Sequence, residues 1–297
     1  MGYLVLNYKI SLLMPTRDRL SVANNFIKTL ERTVSVPQKI ELIVYIDHDD
    51  LESNKLRSDI IPIKKYVGKK LSMGGYNTFL YEKASGDIIM LVNDDISILT
   101  LNWDQKIRDI HHKFLDQVYL AFPNDLYKKK RNAAFPIISK KTASCLVRPF
   151  PVEYSGGFID THLFEIFNRL KVLGFNRIIY LEEIKFEHLH FRTGKSEIDN
   201  IYMKRDRFLG DSEFHSLAKL RKKQTQLLHH KITKSKEYLE PIEKGSIQIK
   251  NFNSIDIILL YFKDTGLTFN WKIRKITYFL ARLFYKKTFN RISDLKI

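Results

Sequence analysis

Twice in the first hundred residues a short, mostly apolar run ends in a cluster of acids. Ile40 to Ile46 runs into Asp47-His48-Asp49-Asp50, and Asp87 to Val92 runs into Asn93-Asp94-Asp95. A third such run, Lys9 to Met14, precedes both and enters the turn segment Pro15-Thr16-Arg17-Asp18-Arg19. Runs of this length without strict alternation suit strands buried on both faces. Between the first two, Val22 to Thr33 has apolar positions at near-helical spacing, and Pro37 breaks the pattern, which predicts a β-α-β unit. Strands alternating with helices imply a mixed, mainly parallel sheet flanked by helices, an α/β fold that binds ligands beyond the carboxyl ends of its strands. Both acid clusters fall at those ends.

Further along, Ser72-Met73-Gly74-Gly75-Tyr76-Asn77 reads as a glycine-containing turn into a helix from Thr78 to Ala84, with Ser85-Gly86 as its stop. Gly156 to Leu173 reads as a loop and an amphipathic helix ended by Gly174, and Arg177 to Phe191 as two short strand-like pieces. From Leu217 onward Lys and Arg dominate and the β-rich pattern fades. We therefore expect a core domain over residues 1–215 and a basic, mainly helical extension over 216–297, with the boundary somewhere between 213 and 250.

The chain carries 50 Lys and Arg against 33 Asp and Glu, a net charge of +17 that attracts polyanions: nucleic acid, anionic lipid or phosphate-bearing substrates. One cysteine, Cys145, excludes an internal disulfide framework and a cysteine-rich zinc site and suits a cytoplasmic setting. No signal peptide and no membrane-spanning helix are expected. The segment Trp271 to Ile297 interleaves eight Lys or Arg with six aromatic residues, which suits the surface of an anionic membrane, or equally a basic helix packed on the core.

Four groups of residues bear chemistry. Asp94 and Asp95 are placed to hold a hard cation such as Mg²⁺, which takes one or two carboxylates and fills the rest of its shell with water and phosphate; the same acids also suit a turn or a helix cap. Asp47 and Asp49 suit the base or ribose of a nucleotide, or a solvated turn. If Glu183 to Phe191 is extended, alternation puts Ile184, Phe186, His188 and His190 on one face, so two imidazoles share it as metal ligands or as partly buried core histidines. Gly156-Gly157-Phe158-Ile159-Asp160 delivers an acid to a helix start, as a cap or as a general base. His111-His112 and His229-His230 read as surface residues, and neither a Ser-His-Asp order nor a phosphate-cradling GxxxxGK[ST] loop is present.

Taken in order, Ile10 to Arg17, Val44-Tyr45-Ile46-Asp47, Asn77 with Ala84-Ser85-Gly86-Asp87, and Asn93-Asp94-Asp95 resemble the opening of family 2 glycosyltransferases of the GT-A fold. The resemblance is clear over residues 8–100, looser over 150–215 and absent from the basic tail. It implies that Pro15, Thr16, Arg17, Asp47, Asp49, Asn77 and Asp94 bind a nucleoside-diphosphate sugar. It also implies that Asp95, with His188 or His190, holds a divalent cation, Mn²⁺ or Mg²⁺, and that Asp160 is the catalytic base of an inverting transfer. The implied acceptor is a glycan or a lipid-linked hydroxyl, met on the cytoplasmic face of a membrane. Asn93 stands where the family's aspartate-any-aspartate motif begins, and the Glu that often precedes its catalytic aspartate is missing here. Three rivals remain: a nucleotidyltransferase on the same fold, a degenerate member that only binds, and a non-enzymatic membrane- or nucleic-acid-binding protein. No standard nucleic-acid motif supports the last.

Overall fold

The run Ile10–Thr16 forms strand β1, buried everywhere but at Pro15, and Ile40–Asp47 forms β2, buried at all eight positions. These are two of eight strands in a computed structural model that describes residues 7–189, 209–243 and 245–294. The others are β3 (Ile63–Gly68), β4 (Ile88–Leu91), β5 (Ile96–Ile98), β6 (Leu120–Asn124), β7 (Ile137–Ser139) and β8 (Ile178–His188). They form one sheet in the order β3-β2-β1-β4-β7-β6-β8-β5.

β1 pairs in parallel with β2 and β4, and β2 with β3. β7 runs antiparallel to β4 and to β6, while β6 and β8 are parallel and β5 opposes β8. Six strands therefore share one direction, and β1, β2, β4, β6 and β8 all end at the same edge. This is the mainly parallel α/β architecture expected from the sequence.

Side-chain alternation splits the interior into two layers. Ile10, Leu12 and Met14 of β1 face one, with α1 (Leu20–Thr33) and α3 (Trp103–Lys113); Leu13 faces the other, with α5 (Ile159–Val172). α1 buries Ala23, Phe26, Ile27 and Leu30, the i, i+3, i+4, i+7 stripe of an amphipathic helix. Inside β2, the fully buried Glu41 accepts hydrogen bonds from Ser11, Lys9, Lys64 and the Ser85 backbone. Burial pushes its carboxyl up, but those donors outweigh burial and hold it well below the usual range. Ser85-Gly86 thus does more than stop a helix. A Cβ on Gly86 would lie 2.6 Å from Ser11 Oγ.

Three local expectations need correction. The helix expected from Thr78 begins earlier, as α2 (Met73–Lys83): Ser72 caps it by accepting from Gly75 N, so Gly74 and Gly75 are helical rather than a turn. Gly74 serves close approach, because a Cβ there would sit 1.9 Å from the Pro151 carbonyl oxygen. The two strand pieces expected over Arg177 to Phe191 are one strand, β8, accommodated by a register shift against β6 between Pro123 and Asn124. His111 is buried on the inner face of α3, its Nδ1 3.0 Å from the Tyr119 hydroxyl, whereas His112 is exposed.

After α4 (Lys140–Cys145) and α5 come α6 (Leu209–Ser216), α7 (Ala218–Thr233), α8 (Ser254–Phe262) and α9 (Phe269–Asp294). Phe214, Leu228, Tyr261, Trp271 and Phe279 from these last helices join the same apolar cluster as Leu13, Ile43 and Leu120 of the sheet. A buried ionic network reinforces the junction. Glu165 of α5 accepts from Arg169 at 2.9 Å and from Arg221 of α7 at 2.8 Å, and Arg169 also reaches Asp264 at 2.7 Å. No helix among the described residues is long and apolar enough to cross a membrane.

Candidate active site

The turn after β1 lies between the acids that follow β2 and β4, because β1 is flanked by those two strands. Arg17 bridges toward β2: its guanidinium donates to Asp47 Oδ2 at 2.6 Å and to Asp49 Oδ2 at 2.7 Å. The hydrogen bond to Asp47 is the largest influence holding Arg17 in its charged form. Asp47 is almost completely buried, and its second oxygen accepts from the Tyr76 hydroxyl at 2.6 Å. Burial and then that bond push the Tyr76 phenol up. Asp50 closes the turn by accepting from the backbone of Asp18 and Ser53; burial pushes its carboxyl up, but those bonds and the Arg17 charge hold it low.

On the β4 side, Asp94 accepts from Thr16 Oγ1 at 2.8 Å and from Arg19 at 3.0 Å. Burial pushes the Asp94 carboxyl up to about 6, against the pull of Arg19 and with the Asp95 charge adding to the rise. Asp95 lies between two partners, its Oδ2 4.0 Å from the same arginine and its Oδ1 3.3 Å from His188 Nε2. The sheet makes this pair: β5 and β8 align Ile96 with His188, and Leu189 N donates to the Asp95 carbonyl at 2.9 Å. The alternation expected for β8 holds, with Ile184 and Phe186 buried on the His188 side.

The separation of Asp95 and His188 matches the roughly 3 Å between neighbouring ligands of a six-coordinate cation with bonds of about 2.1 Å. Among the described residues no three His, Cys, Asp or Glu side chains converge on one point. Two protein ligands are nonetheless what a hard cation commonly takes when phosphate oxygens and water complete its shell, so Asp95 and His188 fit such an ion. His190 lies outside the described residues.

The loop after β6 links this edge to the last expected residue. Its first residue, Asp125, accepts from His188 N at 3.3 Å, and farther on Lys128 and Asn132 both reach Asp160. Phe158, with φ of +70°, turns the chain into α5, so Asp160 stands in the first turn of that helix. Asn132 donates its amide to Asp160 Oδ2, Lys128 Nζ lies 3.5 Å from the same oxygen, and the Thr161 backbone donates to Oδ1 at 2.7 Å. At 22% exposure the Asp160 carboxylate is held yet still reachable by a ligand.

Thr16, Arg17, Asp47, Asp49, Asp94, Asp95 and His188 are thus brought to one sheet edge, with the half-buried Pro15 among them. Asn77 is directed elsewhere, donating its amide to the Met73 carbonyl within α2, while its neighbour Tyr76 reaches Asp47. Arg19, Tyr76, Lys128 and Asn132 escaped the sequence reading. Arg19 lies in a turn already marked as ligand-facing, but its pairing with Asp94 bridges 75 residues. Lys128 begins a Lys-Lys-Lys-Arg run that resembles any solvated charge cluster.

No family model matches the sequence, and no curated protein matches it. Among solved structures it is similar to TarS of S. aureus, with a TM-score of 0.47 and 12% identity over 76% of this chain. A second is the mannosyltransferase PcManGT from Pyrobaculum calidifontis in complex with GDP-Man and Mn²⁺, with a TM-score of 0.46 and 10% identity, covering 76% of this chain and 74% of that one. A third, TarS 1–349, has a TM-score of 0.43 and 15% identity over 60% of this chain and 59% of that one. The chain spans about half of the first TarS chain, 53% of its length.

Proposed function

We propose that this chain is a glycosyltransferase that takes a sugar from a nucleoside diphosphate and passes it, with inversion, to an acceptor hydroxyl. The observation that carries this reading is the meeting of two differently suited groups on one sheet edge and of a third that the loop after β6 ties to that edge. They are a nucleotide-binding acid pair, Asp47 and Asp49, a cation-binding pair, Asp95 and His188, and a reachable carboxylate, Asp160. They come from four separate segments, which a chance acidic turn would not bring together.

In this reading Arg17 and Tyr76 hold Asp47 in place for the nucleotide, and Thr16 and Arg19 brace Asp94 behind the cation pair. A cation held by Asp95 and His188 would neutralise charge on the diphosphate. Asp160, oriented by Asn132 and Lys128, takes the proton of the acceptor hydroxyl. That oxygen bonds to the anomeric carbon from the face opposite the diphosphate, and the electron pair of the breaking C–O bond leaves with the diphosphate. General-base assistance of this kind contributes about 10²- to 10⁴-fold.

The same reading places the protein at a lipid surface. α8 buries Ile257 and Tyr261 inward, yet exposes Ile255, Ile258, Leu259 and Phe262 outward at i, i+3, i+4, i+7. Exposed Lys263 and Arg274 lie close by in sequence, so the complementary partner is an anionic bilayer carrying the acceptor.

Titration calorimetry with UDP, GDP and CMP, each with Mn²⁺ and with chelator, tests the core of the reading. Cation-dependent binding of one nucleotide, abolished by Asp95→Ala, is the expected result. Absence of binding to all three would overturn it.

A further inference from the structure

Beside the exposed face of α8, made of Ile255, Ile258, Leu259 and Phe262, runs a second stripe. Asp256, Leu259 and Leu260, with Lys263 at the helix end, recur at the same i, i+3, i+4, i+7 spacing one step round the axis. This stripe is one wall of a cleft of about 470 Å³, within the roughly 300–1,000 Å³ of small-molecule sites. Lys250 and Phe252, from the segment that leads into α8, form the facing wall. Both walls are anchored. Lys250 N donates to Ser216 Oγ at 2.8 Å, and the Phe252 ring lies 5.3 Å from that of His215, buried in α6. Asn253 caps α8 by accepting from Asp256 N at 2.9 Å, while Ile257 and Tyr261 hold the helix in the core.

The lining has the two characters of an amphiphile. Phe252, Leu259 and Leu260 are apolar, and Leu259 belongs to both stripes, so the cleft and the exposed face of α8 are continuous. Lys250 and Lys263 stand on opposite walls, and neither ammonium has an ion pair or a hydrogen bond among the described residues. Asp256, the acid on the α8 wall, is already engaged: its carboxylate accepts from Asn253 N at 3.1 Å and lies at the positive end of its own helix. Two unpaired ammoniums beside an apolar floor complement a molecule with a fatty chain and an anionic head. A lysine meets a phosphate oxygen as a compact point charge, which suits a phosphate set between two walls. A flat basic surface attracts such a lipid by charge alone, whereas a cleft adds burial of its chain.

Resting on the reading of α8 as the lipid-facing helix, we propose that this cleft is a site for one phospholipid of an anionic bilayer, its phosphate between Lys250 and Lys263 and the start of an acyl chain along Phe252, Leu259 and Leu260. The protein then does more than partition onto charge. It selects a lipid molecule, and the exposed face of α8 brings the cleft to the bilayer that holds that lipid.

The test is calorimetry of the full chain with a soluble probe, dihexanoyl phosphatidic acid below its micelle concentration. Two comparison compounds each lack one part of it: glycerol 3-phosphate has no chain, and dihexanoyl phosphatidylcholine has no net charge. Wild type is expected to bind the acidic lipid saturably at one site, and each comparison compound about tenfold more weakly or not at all. Lys250→Gln and Lys263→Gln each weaken that binding about fivefold, the contribution of one basic residue at an anionic surface. Both lysines are exposed, so neither change disturbs the core. Phe262→Ser, on the exposed face but outside the cleft lining, leaves binding of the soluble lipid unchanged. No saturable binding of the acidic lipid, binding that both lysine variants retain, or equal binding of glycerol 3-phosphate overturns the proposal. Partition of wild type onto vesicles of phosphatidylcholine with phosphatidylglycerol is read separately. Where it persists although the cleft fails these tests, the lipid-facing reading of α8 stands; where it is absent, that reading fails as well.

Discussion

At the β1–β2 end of the functional edge, opposite charges meet directly: Arg17 with Asp47 and Asp49, and Arg19 with Asp94. At the α5–α9 end, Lys128 has Asp160 at 3.5 Å, whereas Lys275 meets the rings of Trp271 and Phe214 and the field of Glu165 without an ion pair among the described residues. The first end is a self-compensated lattice that fixes its acids before any ligand arrives. The second holds a lysine whose ammonium burial pushes down to about 7, against the opposing field of Glu165.

The largest effect that sharpens this contrast is kinetic. Asp160→Asn is expected to lower the transfer rate about 10²- to 10⁴-fold while leaving nucleotide affinity unchanged, as read from initial rates beside calorimetry. Equal losses in both would merge the two ends into one site. Glu165→Gln comes next. It leaves the buried guanidiniums of Arg169 and Arg221 without their shared carboxylate and is expected to cost about 3–5 kcal/mol in urea unfolding. Asp47→Ala acts at the β1–β2 end: losing hydrogen bonds to a charged group, about 1.5–3 kcal/mol, is expected to weaken nucleotide binding tenfold or more in calorimetry.

A smaller, pH-dependent effect isolates the buried lysine. The folded-state value of Lys275, about 7, lies below the ordinary 10.5, so across that interval the unfolded chain holds the extra proton and stability rises with pH. Groups titrating elsewhere are common to both proteins. The Lys275→Met variant is therefore expected to be more stable than wild type at neutral pH, with the difference shrinking by at most about 1.4 kcal/mol per pH unit as pH rises. A pH-independent difference between the two melting curves would show that Lys275 is charged at every pH measured. Smallest is the outer face of α8, where Phe262→Ser is expected to reduce partition onto anionic vesicles severalfold, about 1 kcal/mol, without altering soluble nucleotide binding.

Much of the donor end was legible from local pattern. Buried strands announce themselves as short apolar runs, and acids that follow them must lie at the strand ends, so Asp47, Asp94 and Asp95 were placed before their partners were known. His111 was legible too, although it was read as a surface residue: it continues the Trp103, Ile107 stripe of α3 at i+4, and that spacing outweighs the polarity of its neighbours. The start of α2 was obscured by Gly74 and Gly75, whose role is contact with the Pro151 segment rather than flexibility. Asn77 shows the reverse case, a residue in a plausible place whose side chain is taken up by its own helix.

The sequence by itself determined the α/β character, the strand ends and the residue types available for chemistry, because these depend on periodicities of two and of 3.6 residues within a single element. Tertiary structure decided which of those residues meet. Asp95 faces His188 because β5 and β8 pair antiparallel in one register, 93 residues apart in sequence. Arg274 reaches the loop of Lys128 because α9 folds back over the start of α5, joining residues 143 positions apart. Such pairings leave no local periodic trace, since the free energy that selects them comes from the shared apolar core rather than from the residues that end up side by side.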